Sequence, residues 1–357
     1  MPVVTQFLNF SGNARKIIIP IVSLAALFVF LQLALPKLSP TQPALKPAHI
    51  QPLTEIPATA QKVETGFYPV NLYELDVASN TYYVDAYIWF KWKGDFDPIA
   101  NLEFPNAVEE WGMNIQQAYE KPQIQPDGTL YQIIRVEGRF FQPFTLTKYP
   151  LDEQRLGIVM ENSIYTYNDL VYVADTTDSG FADTLAIPGW NINKWEIESL
   201  LHQYPTRFGE RSNVQVNLPY SYLRYQLLIS RPINYFIWKL LLPLIIVVVS
   251  SWCALLLHPS YVDARVSMSS TALLTTVFLQ QAYSDTLPSV GYLVLLDKIY
   301  ALSYISIVAA IIETIVTAGW ANSGKQEDYE RVVRLDRPFL LVQLTVLIVG
   351  ILLLIYL

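Results

Sequence analysis

Hydrophobic and polar residues follow two different periods along this chain. From Tyr82 to Trp92 they alternate, with Tyr83, Asp85, Tyr87, Trp89 and Lys91 on one face and Val84, Ala86, Ile88, Phe90 and Trp92 on the other. A period of two predicts a strand with one buried face. Turn signals recur around it, at Gly94-Asp95, Phe104-Pro105-Asn106, Pro126-Asp127-Gly128, Tyr149-Pro150, Pro188-Gly189 and Pro205, and no long helical period interrupts them. Many short strands punctuated in this way predict an immunoglobulin-like β-sandwich over residues 63–231.

The pattern changes at Ser230-Arg231-Pro232. The next 25 residues, Ile233 to Leu257, are almost all apolar, and as a helix they reach about 37 Å, enough to cross a bilayer with tilt. Further spans are expected at about 263–284, 292–320 and 336–357, giving a four-helix membrane domain over 232–357. The connector from Ala321 to Arg337 carries Lys325, Arg331, Arg334 and Arg337, which marks it as the cytoplasmic side. With the sandwich outside, four crossings then close consistently.

The second span is too polar to face lipid on every side. Ser267, Thr271, Leu274, Phe278 and Gln281 fall on one helical stripe, and Asp263 and Asp285 stand near its ends. A membrane helix with a polar stripe and acidic ends has the make-up of the wall of a water-filled pore. The plainer alternative is a helix buried in a bundle, its hydroxyls bonded to neighbouring helices.

Ahead of the sandwich, Arg15-Lys16 precedes an apolar run from Ile17 to Leu35, so residues 1–35 read as a signal sequence or an N-terminal membrane anchor. Its length favours an anchor, while Ala58-Thr59-Ala60 resembles a distant cleavage site. Prolines 36, 40, 43, 47, 52 and 57 make residues 36–62 an extended linker. Either fate of the leader places the sandwich outside the cytoplasm of a bacterial cell, and the chain in its inner membrane as a multi-pass protein.

Composition sharpens this picture. Of 357 residues, 52% are hydrophobic and 15% charged, and the net charge of -7 with no basic stripe argues against nucleic acid. The single cysteine, Cys253, lies in an apolar span, so no disulfide closes within one chain. No Gly-rich phosphate loop, metal-spaced His/Cys cluster or nucleophile elbow is present, which speaks against an enzyme, a cofactor or a metal centre.

The stretch Gln142 to Leu156, QPFTLTKYPLDEQRL, resembles the signature loop of the pentameric ligand-gated ion channels, the Cys-loop receptor superfamily. Its core is Tyr149-Pro150-Leu151-Asp152, with Gln154 two positions on. Gln142 and Leu156 stand where animal receptors close the loop with cysteines, which the prokaryotic branch lacks. Leu228-Ile229-Ser230-Arg231, Pro243, Ser251-Trp252 and Leu287-Pro288 also match, in order, and the connector before the fourth span is short, as in bacterial members.

The resemblance implies a homopentamer in the membrane lipid, with the second span of each chain lining a central pore. Asp263 would then form a cation-selective ring, Ser267 and Thr271 hydroxyl rings, Leu274 and Phe278 the hydrophobic gate, Gln281 an outer ring, and Asp285 the outer mouth. Arg265 would point away from the lumen. Asp152 and Arg231 match an ion pair that, with Pro150 and Pro288, couples binding to opening. A ligand site between subunits would draw on Tyr165, Tyr167, Tyr204 and Phe208, with Tyr87 and Trp89 from the neighbour and Tyr119 a further candidate. Such aromatics suit an amine or an aromatic agonist. Protons are the other stimulus considered, with His202 the one histidine outside the linker and the membrane region. The permeant ions would be monovalent cations. The competing reading is a membrane-anchored sensory or solute-binding receptor that does not conduct.

Overall fold

In the computed structural model the described residues are 49–206, 209 and 219–356; the expected N-terminal leader lies outside them. They divide into a strand unit and a helical unit, the latter including the short segment Leu146–Leu151.

Eleven strands build the first unit: β1 (His49–Pro52), β2 (Gln61–Asp76), β3 (Thr81–Trp92), β4 (Leu102–Glu103), β5 (Asn114–Gln117), β6 (Gln123–Ile124), β7 (Leu130–Phe141), β8 (Glu153–Asn162), β9 (Leu170–Ala174), β10 (Asn191–Gln203) and β11 (Tyr220–Ser230). One sheet runs β1-β10-β11-β8-β4 and the other β5-β7-β3-β2-β9, with β6 beside β7. Pairing is antiparallel except between β2 and β9. Val84, Ala86, Ile88 and Phe90 of β3 are buried, as the alternation requires, and so are Phe67 and Ile134 of the same sheet and Leu156, Met160 and Leu223 of the other. Each of these side chains larger than alanine contributes about 1.5–3 kcal/mol by leaving water.

The expected linker is shorter than its prolines suggest. Four of its residues form β1, with Ile50 opposite His202 and packed on Val159, Leu200 and Tyr222. Pro52 is tolerated because it ends an edge strand, where a missing donor costs little.

The helical unit holds α1 (Ile233–Leu256), α2 (Val262–Ser284), α3 (Leu295–Ala321) and α4 (Gln326–Tyr356). Helices α1, α3 and α4 are long and apolar enough to cross a membrane; α2 has 23 residues but more hydroxyls. Helix α3 packs against each of the other three. Helix α1 passes through a π-helical stretch at Phe236–Leu241, just before Pro243. Proline has no N–H to give, and the widened turn re-pairs the backbone around it.

The connector expected to reach Arg337 is mostly helix, since α4 begins at Gln326. Glu330 with Arg334 and Asp328 with Arg331 pair along its exposed surface at 3.7 and 3.6 Å, and no breaker precedes Pro338.

Candidate functional site

Six of the seven candidate pore residues lie on one side of α2, and the seventh, Asp285, follows its last turn. Asp263, Ser267, Thr271, Leu274, Phe278, Gln281 and Asp285 are all exposed in the single chain, Leu274 at 56% and Phe278 at 65%. The opposite side is buried at Arg265, Ser269, Ala272, Thr276 and Tyr283. The buried hydroxyls are satisfied locally, Thr276 donating to the Ala272 carbonyl and Ser269 to Ser251 of α1. At the end of the exposed stripe, the Gln281 amide donates to Asp285 at 2.6 Å. A shallow groove of about 300 Å³ runs between α1 and α2, bordered by Ser250, Ser267 and Thr271.

Behind that stripe, Arg265 is fully buried. Its guanidinium donates to the carbonyls of Ala254 and Leu255 at the end of α1 and to Asp336 of α4 at 2.6 Å, with Glu313 of α3 at 3.9 Å. The sequence reading assigned no role to Asp336 or Glu313. The available signal was their type: an ionisable residue inside an apolar span needs a partner there.

The signature loop is split between the two units. On the strand side, the Gln154 side chain ties the loop together by hydrogen bonds. Its side-chain carbonyl accepts from Thr145 N–H, and its amide donates to the Thr145 carbonyl and to Asp152 at 2.6 Å. Asp152, almost fully buried, also accepts from Arg231 Nε at 2.9 Å, and the Arg231 guanidinium stacks 4.1 Å over Trp190.

Within the helical unit, the loop segment with Pro150 caps α3. Thr147 and Tyr149 carbonyls accept from Leu295 and Leu296 N–H at 3.0 and 3.2 Å, two donors that a helix start otherwise leaves orphaned. Tyr149 also stacks on Tyr283, whose hydroxyl donates to Asp297. Pro288 is half-buried in the 285–294 connector. No local pattern in the sequence marks this cap, because its two halves lie nearly 150 residues apart.

The candidate ligand aromatics fall into two groups, one on and beside β3 and one in the loops after β8 and β10. Tyr87 and Trp89 line a cleft of about 350 Å³ on β3, with Tyr68, Lys91, Tyr131 and Asp178. Trp89 forms its floor: it is 7% exposed, donates its indole N–H to Asp175 at 3.0 Å, and lies over Gly66, where any Cβ would meet the ring at 2.1 Å. Burial alone would raise the Asp175 pKa, but the bonds from Asp178 N–H, Trp89 and Lys91 outweigh it and hold the carboxyl below its usual range. Asp85 is held low as well, first by its paired bonds to Arg135. Tyr119 lies beside this cleft, its ring 6.4 Å from Tyr131.

The second group gathers near the start of β11. Tyr167 N–H donates to the Pro219 carbonyl and its hydroxyl to the Glu55 carbonyl, while Tyr165 meets Phe96 edge-on. The Tyr204 hydroxyl donates to Glu161, whose other oxygen is 3.2 Å from His202 Nδ1. Burial, then the Glu161 bond, push the Tyr204 hydroxyl well above the ordinary phenol range. Phe208 lies outside the described residues. Among the described residues, no group of three or more His, Cys, Asp or Glu side chains could hold a metal ion.

No family model matches the chain. Individual relatives do. It is 27% identical over 281 residues to a proton-gated ion channel of Gloeobacter violaceus, covering 74% of each chain. Against a glutamate-gated chloride channel of Drosophila melanogaster it is 26% identical over 64% of this chain and 48% of the relative. A gamma-aminobutyric acid receptor subunit beta-4 of Gallus gallus is 26% identical over 53% of this chain and 37% of its own. The chain thus spans three quarters of the bacterial relative and about half or less of these animal ones. These relatives are ion channels, not enzymes, and they are of the kind whose signature loop the stretch Gln142 to Leu156 resembles.

Proposed function

We propose that the chain is the subunit of a homopentameric, cation-selective channel of the bacterial inner membrane, opened from its extracellular sandwich. The observation that carries this reading is the two-sidedness of α2, whose polar stripe from Asp263 to Gln281 is exposed while the opposite side is buried among the described residues. Five copies around an axis give that stripe an aqueous purpose. Asp263 then concentrates cations electrostatically, Ser267 and Thr271 share the ion's hydration shell, and Leu274 and Phe278 close the path by dewetting. Gln281 and Asp285 line the outer mouth.

Coupling runs through Asp152, Arg231, Pro150 and Pro288. The agonist site forms between subunits, drawing on the Tyr87 and Trp89 cleft of β3 with Tyr119 beside it, and on Tyr165, Tyr167 and Tyr204 in the loops after β8 and β10. Its occupant is a small amine or aromatic. Protons are the second stimulus, favoured by one observation: His202 and Tyr204 both converge on the buried carboxyl of Glu161. Glu103 adds a further negative charge to this neighbourhood.

Currents recorded from the purified chain in bilayers, scanned over pH, amines and aromatic acids, test the reading. Cation-selective currents are expected, with leak or easier opening in Leu274→Ser and weaker cation preference in Asp263→Ala. Silence under every stimulus, together with a silent Leu274→Ser, returns the chain to a receptor that does not conduct.

A further inference from the structure

Asp263 and Arg265 are two residues apart on α2, so about 200° of helix rotation separates them. The carboxylate is exposed on the candidate pore face and the guanidinium is buried behind it. A positive charge this close to a ring meant to attract cations works against that ring, unless something holds it away and offsets it.

The helical unit does both. The guanidinium is gripped from three helices: by the Ala254 and Leu255 carbonyls at the end of α1, by Asp336 of α4 at 2.6 Å, and by Glu313 of α3 at 3.9 Å. Helix C-termini carry partial negative charge, so the α1 carbonyls suit a cation. A buried ion pair is a poor way to gain stability compared with apolar packing. Where a chain keeps one beside an exposed functional acid, its use lies elsewhere.

We propose that Asp336 is a selectivity-determining positioning residue. By holding Arg265 in its three-helix cage, it keeps five guanidinium charges off the pore axis and leaves Asp263 to set the sign of the permeant ion. This rests on the cation-channel reading above. Without Asp336, the long Arg265 side chain would turn towards water at the cytoplasmic mouth, beside the carboxylate it opposes.

The test is the reversal potential of the full-length channel in planar bilayers under a potassium chloride gradient. In Asp336→Asn the preference for potassium over chloride should fall about tenfold, the lower end of the enrichment a charged cleft gives its counter-ions. Asp336→Glu should keep the parent's value. Arg265→Gln with Asp336→Asn should restore cation preference, because the misplaced charge is gone; a merely structural role would leave the double variant as impaired as the single one. The parent's reversal potential in Asp336→Asn overturns the proposal. If Asp336→Asn alone gives no current, the double variant decides: cation-selective current supports the proposal, and no current overturns it. A parent channel reversing at the chloride potential overturns the cation reading instead, before any variant is made.

Discussion

Arg231 meets Asp152 where strands end, and Arg265 meets Asp336 among helices expected to lie in lipid. In the first pair the arginine side chain keeps 15% exposure and lies over the Trp190 ring, while Asp152 shares its load with Gln154. In the second, both side chains are at most 3% exposed, and the remaining partners are two carbonyls and a second acid. The difference teaches where each pair's cost falls. Partly wet arginine can lose its aspartate and still find water or an aromatic face. Fully buried arginine has no water beside it, and finds some only by swinging out of its cage between the helices.

Breaking each pair from the arginine side makes this measurable, by thermal unfolding of the purified full-length chain. Arg265→Ala should be the most damaging, about 3–5 kcal/mol, because it strands Asp336 and Glu313 without a cation. Arg231→Ala should cost about 2–3 kcal/mol, the loss of a charge-assisted bond to a buried carboxylate. An equal loss from the two would break the comparison. Gln154→Ala should cost about 1–3 kcal/mol, since the Thr145 groups and Asp152 lose a partner but part of the loop stays hydrated. Arg231→Lys should cost about 1 kcal/mol, keeping charge but losing the flat stacking on Trp190.

Acid should produce the smallest effect near neutrality. Asp85 and Asp175 both have folded-state pKa values below the usual carboxylate value of 3.8. A depressed carboxylate gives its full stabilisation above its unfolded value and loses it as pH falls through the folded one. Their contribution should therefore be constant from pH 7 to about pH 5 and decline only below about pH 4. Unfolding midpoints followed across that range, in the parent and in Asp85→Asn, check this; a decline in the parent between pH 7 and 5 that Asp85→Asn removes would contradict it.

How much was legible in the sequence follows the same divide. The β3 alternation and the α2 stripe could be read because each is a local period, although Asp85 and Trp89 on the second face of β3 are buried too. The ion pair at Asp152 and Arg231 was readable through a family resemblance, not through spacing. Arg265 and Asp336 are 71 positions apart and joined only by packing, so no local pattern announces them. Ile50 hid β1 for the opposite reason: the prolines around it speak for an open chain, and only contact with Val159, Leu200 and Tyr222 makes it a strand. The start of α4 was missed because charged, water-facing helix turns and loops share a composition.

The start of α3 carries a consequence of its own. Val294, its N-cap position, has no side-chain oxygen to offer, and its N–H instead bonds back to Asp297. The next two amides are completed by Thr147 and Tyr149, nearly 150 residues earlier in the chain. The first turn of this helix is therefore borrowed rather than owned: withdraw the lender by an ångström or two, and the turn either frays or admits water. Hydrogen exchange at Leu295 and Leu296 would report the loan directly, as a clock on how often those two residues are let go.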